Sequence, residues 1–181
     1  MTSYTTQNSL LLNNLLQFYE KDDNLETMLN IINGESPISL RIVDWFVTNY
    51  AKQKFTVYNL SEGVRFKVYN DYKLKLKAYS KRRFDPFSRW ERITIPYKED
   101  KLIQTTIGQL NFFKWALENE IITYIKQNYP EIERDMNNRN STSKKRITLT
   151  TSKTRKKREE LSISASKTIK QENVSVTIKF D

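Results

Sequence analysis

Two clusters of basic residues are the part of this sequence whose types and spacing favour a particular chemistry. The first occupies residues 65–92, which carry ten basic and three acidic side chains, with Tyr, Phe and Trp between them. Basic side chains neutralise phosphate groups, and aromatic rings stack on unpaired bases. The pattern therefore favours contact with a polyanion such as a nucleic acid.

Lysines at alternate positions and the basic residues after them are the candidate nucleic-acid contacts of this first cluster: Lys73, Lys75, Lys77, Lys81, Arg82, Arg83, Arg89 and Arg92. In a strand, the first three lysines would project from one face at a spacing of roughly 6–7 Å. The interleaved aromatic residues are Tyr69, Tyr72, Tyr79, Phe84, Phe87 and Trp90. The alternative interpretation is that these rings fill the core and the lysines protect an exposed sheet edge from unwanted strand pairing.

The second cluster lies near the C-terminus, in a stretch rich in Ser and Thr. Its candidate nucleic-acid contacts are Lys144, Lys145, Arg146, Arg155, Lys156, Lys157 and Arg158. Such a run is typical of a nuclear-localisation signal or of an arm that binds nucleic acid. A merely solvated tail is the alternative interpretation.

The composition excludes several classes of protein. The 181 residues have a net charge of +10 and contain neither Cys nor His, so disulfides, Cys/His zinc sites and His-based catalytic triads cannot form. The three glycines are isolated, which rules out a P-loop or a dinucleotide-binding fingerprint. We therefore predict a non-enzymatic protein with no cofactor, no metal site and no catalytic residues.

The N-terminal third predicts a small helical module. Apolar residues recur every three or four positions from Asn8 to Tyr19, and a second short helix is predicted to end at Asn33-Gly34. Ser36-Pro37 predicts the cap of a third helix. The inward face of this third helix is predicted to consist of Leu40, Val43, Phe46, Val47 and Tyr50.

The middle of the chain predicts a small antiparallel sheet. The candidate strands are residues 55–58, 66–68, 72–76 and 93–97, with turns at 61–63 and 70–71. A helix from Tyr72 to Tyr79 is the alternative for the third of these strands. Pro96 places the last strand at a sheet edge or at a strand end.

A long helix is predicted from Thr106 to about Asn128. Thr106 and Gln109 have the spacing of a capping box, and apolar residues follow on one face. Tyr129-Pro130 is predicted to stop or kink this helix.

The predicted fold class is α+β, with a folded domain at residues 1–136 and a basic, largely flexible tail at residues 137–181. Residues 174–180 alternate apolar and polar side chains, which predicts a terminal strand that adds to the core sheet or to the sheet edge of a partner. No apolar run approaches the ~20 residues needed to span a bilayer, so we expect no membrane contact.

Three stretches together carry a family resemblance: residues 39–50, 76–87 and 108–116. In that order they resemble a little-characterised protein family of the nucleocytoplasmic large DNA viruses, the giant viruses. The resemblance covers about residues 36–136. It implies a role in the viral factory, the virion or viral gene expression, and it supplies no catalytic residues.

These observations predict a basic nucleic-acid-binding protein, either architectural or a transcription accessory. Its predicted location is the host nucleus or the viral factory, with packaging in the virion as an alternative. The alternative is a virion structural or assembly protein that docks other proteins through an aromatic face and its C-terminal strand. Residues 44–46 and 112–115 would supply that face, although core packing is the first interpretation of both stretches. The sequence does not determine the oligomeric state.

Overall fold

The computed structural model describes residues 7–97, 101–148 and 171–173. The helices are α1 (Gln7–Tyr19), α2 (Asn24–Asn33), α3 (Leu40–Trp45), α4 (Ala51–Gln53), α5 (Val68–Arg83), α6 (Ile107–Glu118), α7 (Ile121–Gln127) and α8 (Tyr129–Thr148), with a π-helical turn, Phe46–Tyr50, between α3 and α4. The strands are β1 (Val57–Asn59), β2 (Arg65–Lys67), β3 (Arg92–Tyr97), β4 (Lys101–Thr106) and β5 (Gln171–Asn173). Helices together with two small antiparallel sheets confirm the predicted α+β class.

The three predicted N-terminal helices are confirmed, and all five residues of the predicted inward face of the third are buried. Gly34 adopts the left-handed conformation (φ 77°) that ends α2, a conformation that glycine reaches without strain. The predicted cap at Ser36-Pro37 is wrong. The Ser39 hydroxyl caps α3 by accepting a hydrogen bond from the Ile42 N–H at 3.3 Å, because the chain first buries Ile38 in the core.

Helix α6 forms the centre of the fold. It is buried on almost every side and packs against α1, α2, α5, α7 and β4, as expected for a helix that is apolar nearly all round. The predicted cap is confirmed, since the Thr106 hydroxyl accepts a hydrogen bond from the Gln109 N–H at 3.2 Å. The Gln109 side chain bonds to the Thr105 hydroxyl and the Pro86 carbonyl, so it also ties the preceding loop to this helix.

The single helix predicted at 106–128 is wrong, because the structure divides this range into two helices. Helix α6 ends at Glu118, and Glu120 takes a left-handed conformation (φ 55°) before α7 begins. The Glu120 carboxylate accepts hydrogen bonds from the backbone N–H and the hydroxyl of Ser61, which fixes the break. The predicted stop at Tyr129-Pro130 is confirmed, since α7 ends at Gln127 and α8 begins at Tyr129. Pro130 lies in the first turn of α8, where a missing N–H costs nothing.

Residues 72–79 are helical, so the strand prediction is wrong and its helical alternative is confirmed. The strand interpretation relied on lysine and leucine alternating from residue 73 to residue 77. The core instead selects residues three or four apart, and Tyr69, Tyr72, Leu76 and Tyr79 pack against it. Leu74, which the helix leaves outside this stripe, is 65% exposed.

The two sheets are small. Strands β1 and β2 form an antiparallel hairpin around the predicted turn, where Gly63 has a φ of 79°. The second sheet has the order β3-β4-β5, and Pro96 lies on the edge strand as predicted. Strand β4 was not predicted from the sequence. The predicted terminal strand at 174–180 lies outside the described residues, but residues 171–173 just before it pair antiparallel with β4.

Residues 137–148, predicted as the start of a flexible tail, continue helix α8 as far as Thr148. The domain limit at residue 136 stays a prediction, because most of the predicted tail lies outside the described residues. None of the helices in the described part of the chain combines the length and the apolar character that crossing a membrane requires.

Candidate nucleic-acid interface

The three lysines of α5 do not share one face, contrary to the strand-based prediction. Successive helical residues are rotated by about 100°, so Lys73 and Lys77 lie one above the other and Lys75 lies on another side. Lys73 and Lys77 are exposed, whereas Lys75 is partly buried. Two lysines, rather than a row of three, therefore present a common basic face.

The remaining basic residues of the first cluster follow a break in α5. Ser80 has non-helical angles (φ 62°, ψ 165°), which separate Lys81, Arg82 and Arg83 from the turns that carry the lysine pair. Arg89 then lies in the connection to β3, and Arg92 begins that strand. We call residues 82–92 the arginine loop.

Side chains of the arginine loop already bind other groups of the protein. Arg82 pairs with Glu91 at 3.4 Å and lies over the ring of Trp90, with 5.7 Å between the guanidinium carbon and the ring centre. Arg83 donates a hydrogen bond to Gln7 at 3.4 Å, and Arg92 donates one to Gln104 at 3.1 Å. These arginines are close in the sequence, but part of their hydrogen-bonding capacity is already used within the protein.

Lys81 lies close to two carboxylates. The pKa of Asp44 is raised to about 6, mainly by burial and also by the negative charge of Asp85, while the positive charge of Lys81 opposes the shift. Burial also raises the pKa of Asp85. The hydrogen bond from the Phe87 N–H and the positive charge of Lys81 both oppose this rise. Within residues 7–97, 101–148 and 171–173, these acids belong to no group of three or more that could hold a metal ion.

The start of the arginine loop is held tightly against α6. The Asn111 amide donates a hydrogen bond to the Arg83 carbonyl at 2.9 Å. Gly108 makes this approach possible, since a β-carbon at that position would lie 2.8 Å from the β-carbon of Ser88. The loop is therefore fixed to the core by contacts that any larger residue at position 108 would disturb.

The β1–β2 hairpin is fixed to the break between α6 and α7. The Tyr58 hydroxyl donates a hydrogen bond to the Asn119 carbonyl at 2.6 Å, and its ring stacks on Tyr124 with 4.8 Å between the centres. Because side chains alternate along a strand, Phe66 points into the core while Arg65 and Lys67 are exposed on the other face.

A groove with a volume of about 630 Å³ lies beside this exposed face of the hairpin. Its nine described lining residues include three cations and no acid, and those that matter here are Lys52, Phe55, Arg65, Lys67 and Tyr69. We call this the basic groove. The ammonium groups of Lys52 and Lys73 both lie over the Tyr69 ring, 5.7 and 5.8 Å from its centre, so the lysine face of α5 adjoins the groove.

The aromatic residues predicted to interleave with the cations are mostly part of the core. Phe84 is buried, and the others except Trp90 are partly buried and pack against the core. Trp90 is 68% exposed. Among the described residues, Phe55 is the most exposed large apolar side chain, at 85%, and the sequence did not identify it as a contact.

Four groove residues were therefore missed as candidates: Lys52, Phe55, Arg65 and Lys67. For two of them the sequence carried a usable signal, since Arg65 and Lys67 flank the apolar Phe66 at the start of the strand predicted at 66–68. Alternation along a strand places both on the face opposite Phe66. The other two lie at the end of a short helix, where no periodicity identified them.

The two aromatic stretches lie in the core, as the first interpretation predicted. Phe46, Phe112, Phe113 and Trp115 are buried, and Trp45, partly buried, donates a hydrogen bond to Asp135 at 3.0 Å. The side chains of residues 144–146 and the whole of residues 155–158 lie outside what the structure describes.

Comparison with known proteins places the chain in a family. The sequence pattern of DUF7197, described as a family of unknown function, matches residues 2–179. The chain belongs to this family. The DUF7197 chain is 48% identical over 119 residues to "Uncharacterized protein L507" of Acanthamoeba polyphaga mimivirus, a match that covers 61% of this chain and 46% of the mimivirus protein.

The DUF7197 chain thus spans about half the length of this curated relative. A relative encoded by a giant virus supports the coarser part of the resemblance noted from the sequence, namely a protein family found in giant viruses. No solved structure matches this DUF7197 protein.

Proposed function

We propose that this DUF7197 protein is a non-enzymatic nucleic-acid-binding protein, architectural or accessory to transcription, that binds the phosphate backbone through the basic groove and the lysine face of α5. The observation that carries the proposal is the gathering of Lys52, Arg65, Lys67 and Lys73 around one groove with no acidic side chain in its described lining.

Such an arrangement lowers the stability of the free protein and favours a polyanion. Like charges one helical turn apart, as at Lys73 and Lys77, destabilise a helix by about 0.2–0.5 kcal/mol. Neither lysine forms an ion pair with a carboxylate among the described residues. A phosphate backbone relieves this repulsion and releases its own counterions, which supplies binding free energy independent of sequence.

Little base specificity is expected. The described fold presents no helix-turn-helix or finger in which side chains read base edges, and its exposed cations are suited to phosphates. The second basic cluster, Lys144–Arg146 with Arg155–Arg158, is proposed to act as an additional electrostatic arm. The same proposal includes a location in the nucleus or viral factory, with packaging in the virion. Localisation in infected cells would test it.

The alternative of a structural protein that docks through an aromatic face finds no support in the described side chains, because most of those rings are buried. The part of the alternative that involves residues 174–180 concerns a segment outside the description.

A salt titration of binding tests the proposal. Fluorescence anisotropy with duplex DNA, single-stranded DNA and RNA would be recorded for the full chain and for K73Q/K77Q, with K21Q/K126Q as a control of equal charge change on exposed lysines elsewhere. We expect the plot of log affinity against log salt to be steep and to lose about 1–2 units of slope in K73Q/K77Q only, since each phosphate contact contributes roughly 0.9. Equal effects of both double variants would contradict a localised interface, and no binding at ~50 mM salt would contradict the function itself.

A further inference from the structure

We infer that the basic groove holds an unpaired nucleotide of a single strand, with its base stacked on Phe55 and its phosphates at Arg65 and Lys67. This inference rests on the proposed function and deepens it, because it names the form of nucleic acid that the groove recognises. It makes single-stranded DNA or RNA, rather than duplex, the preferred ligand.

The position of Phe55 in the backbone is the first reason. The Thr56 N–H donates a hydrogen bond to the Ala51 carbonyl at 3.1 Å, and Phe55 between them has a φ of 47°. This is the left-handed residue that ends a helix, where glycine is strongly favoured. A phenylalanine here carries backbone strain, and its 85% exposed ring contributes little to the core.

Folding stability therefore does not explain why an exposed, strained aromatic residue occupies position 55. Planar rings at the surface of single-strand-binding proteins serve as platforms for bases, because every base has a face that can stack. The ring of Phe55 lines the groove together with Val57 and Tyr69, so the same space offers further apolar surface to a base.

The charges around the ring are the second reason. Arg65 and Lys67 project from the exposed face of β2, paired across the hairpin with Asn59 and Val57. Lys52 approaches from the helical side and is held over Tyr69. Cations on two sides of an apolar groove match the chemistry of a nucleotide, which joins an apolar ring face to an anionic phosphate.

The groove is also built on fixed elements. The hairpin is tied to the α6–α7 break through Tyr58 and Ser61, and Tyr69 belongs to the first turn of α5. Its volume of about 630 Å³ falls within the ~300–1,000 Å³ of typical small-ligand sites. A duplex keeps its base faces stacked internally and so cannot place one in this space, whereas a single strand can.

The test measures the affinity of the full chain for a single-stranded oligonucleotide and a duplex of equal length, for wild type, F55A, F55W and L74A. L74A is the matched control, because it removes an exposed apolar side chain that does not line the groove. Circular dichroism would first show that all variants are folded. A nucleotide photo-crosslinker in the single strand, followed by peptide mass spectrometry, would locate the contact.

We expect F55A to lose about tenfold in single-strand affinity, with duplex affinity changed less than about twofold, F55W to restore binding, and L74A to match wild type. Crosslinks at residues 52–69 would accompany this result. If F55A and L74A are alike while wild type still binds nucleic acid, the inference is wrong and the proposed function stands. If wild type binds none of the ligands at ~50 mM salt, both are wrong.

Discussion

The basic groove and the arginine loop contain similar numbers of cations and use them differently. In the loop, Arg82 pairs with Glu91 and Arg92 bonds to Gln104, and the charge of nearby Lys81 acts on the partly buried carboxylates of Asp44 and Asp85. Around the groove, the described lining contains no acid, and two lysines share one tyrosine ring. The loop is the denser cluster in the sequence, but its arginines have polar or acidic partners, whereas no acid stands among the described residues that line the groove.

This contrast shows that the density of basic residues in a sequence does not measure how many can contact a ligand. A cation that already bonds to a carboxylate or an amide has fewer donors left for a phosphate, and a carboxylate partner also offsets its charge. We interpret the loop as a structural element fixed to α6, and we propose the groove as the binding surface. The predictions below separate the two roles.

The largest expected effect concerns the attachment of the arginine loop. In G108A, the added methyl group meets Ser88 at 2.8 Å and the Arg82 carbonyl at 3.1 Å, so the free energy of unfolding should fall by about 2–3 kcal/mol. Chemical denaturation measures it. G108A/S88G should recover part of the loss, and an unchanged stability of G108A would contradict the described fit of the loop on α6.

The next effect concerns the carboxylates near Lys81. The pKa of Asp44 is raised from 3.8 to about 6, so its ionisation destabilises the folded protein progressively as the pH rises from about 4 to about 6. D44N stays neutral and should remove this loss, raising the free energy of unfolding at pH 7 by about 2 kcal/mol and changing it little at pH 3.5.

Unfolding measured across this pH range, with E62Q in the exposed hairpin turn as the control, tests the prediction. K81Q should raise the pKa of Asp44 further, because Lys81 opposes the shift. A D44N protein with the same pH dependence as wild type would contradict the raised pKa of Asp44, and a K81Q protein with an unchanged pH dependence would contradict the influence of Lys81 on it.

The third prediction compares the two surfaces in binding. K73Q/K77Q should lower nucleic-acid affinity about tenfold, equivalent to about 1.4 kcal/mol, and R82Q/R92Q about threefold or less, because its donors already have partners. Anisotropy at one fixed salt concentration gives the ranking. The reverse order would make the arginine loop the interface.

The smallest expected effect concerns Phe55. F55G replaces a left-handed phenylalanine by the residue best suited to that conformation, so the free energy of unfolding should rise by about 1 kcal/mol. Thermal unfolding measures this change, with F55A as the comparison that keeps the strain. A clear loss of stability in F55G would mean that the ring supports the fold after all.

Most of the fold could be predicted from periodicity and capping. The inward face at residues 40–50 and the Thr106 cap required only spacing and local hydrogen bonding, and both are confirmed. The break at Glu120 could not be predicted, because its cause is a contact with Ser61, which lies 59 positions away. Strand β4 was missed because it runs directly into α6 with no turn residue between them.

The candidate site was predicted less well than the fold. The alternation of lysines at 73–77 suggested a strand, and only the packing of Tyr72 and Leu76 against the core decides for a helix. The groove joins Lys52 to Arg65 and Lys67 through the tertiary fold, which no local pattern reveals. Whether a given arginine is engaged is likewise a tertiary property, as Arg92 and Gln104 show.

The most direct test of the central claim is to locate bound nucleic acid on the full chain by ultraviolet crosslinking and peptide mass spectrometry. We expect crosslinked peptides from residues 52–77, which carry the basic groove and the lysine face of α5. Crosslinks confined to residues 82–92, or spread evenly over the folded domain, would contradict the claim that the groove side is the binding surface.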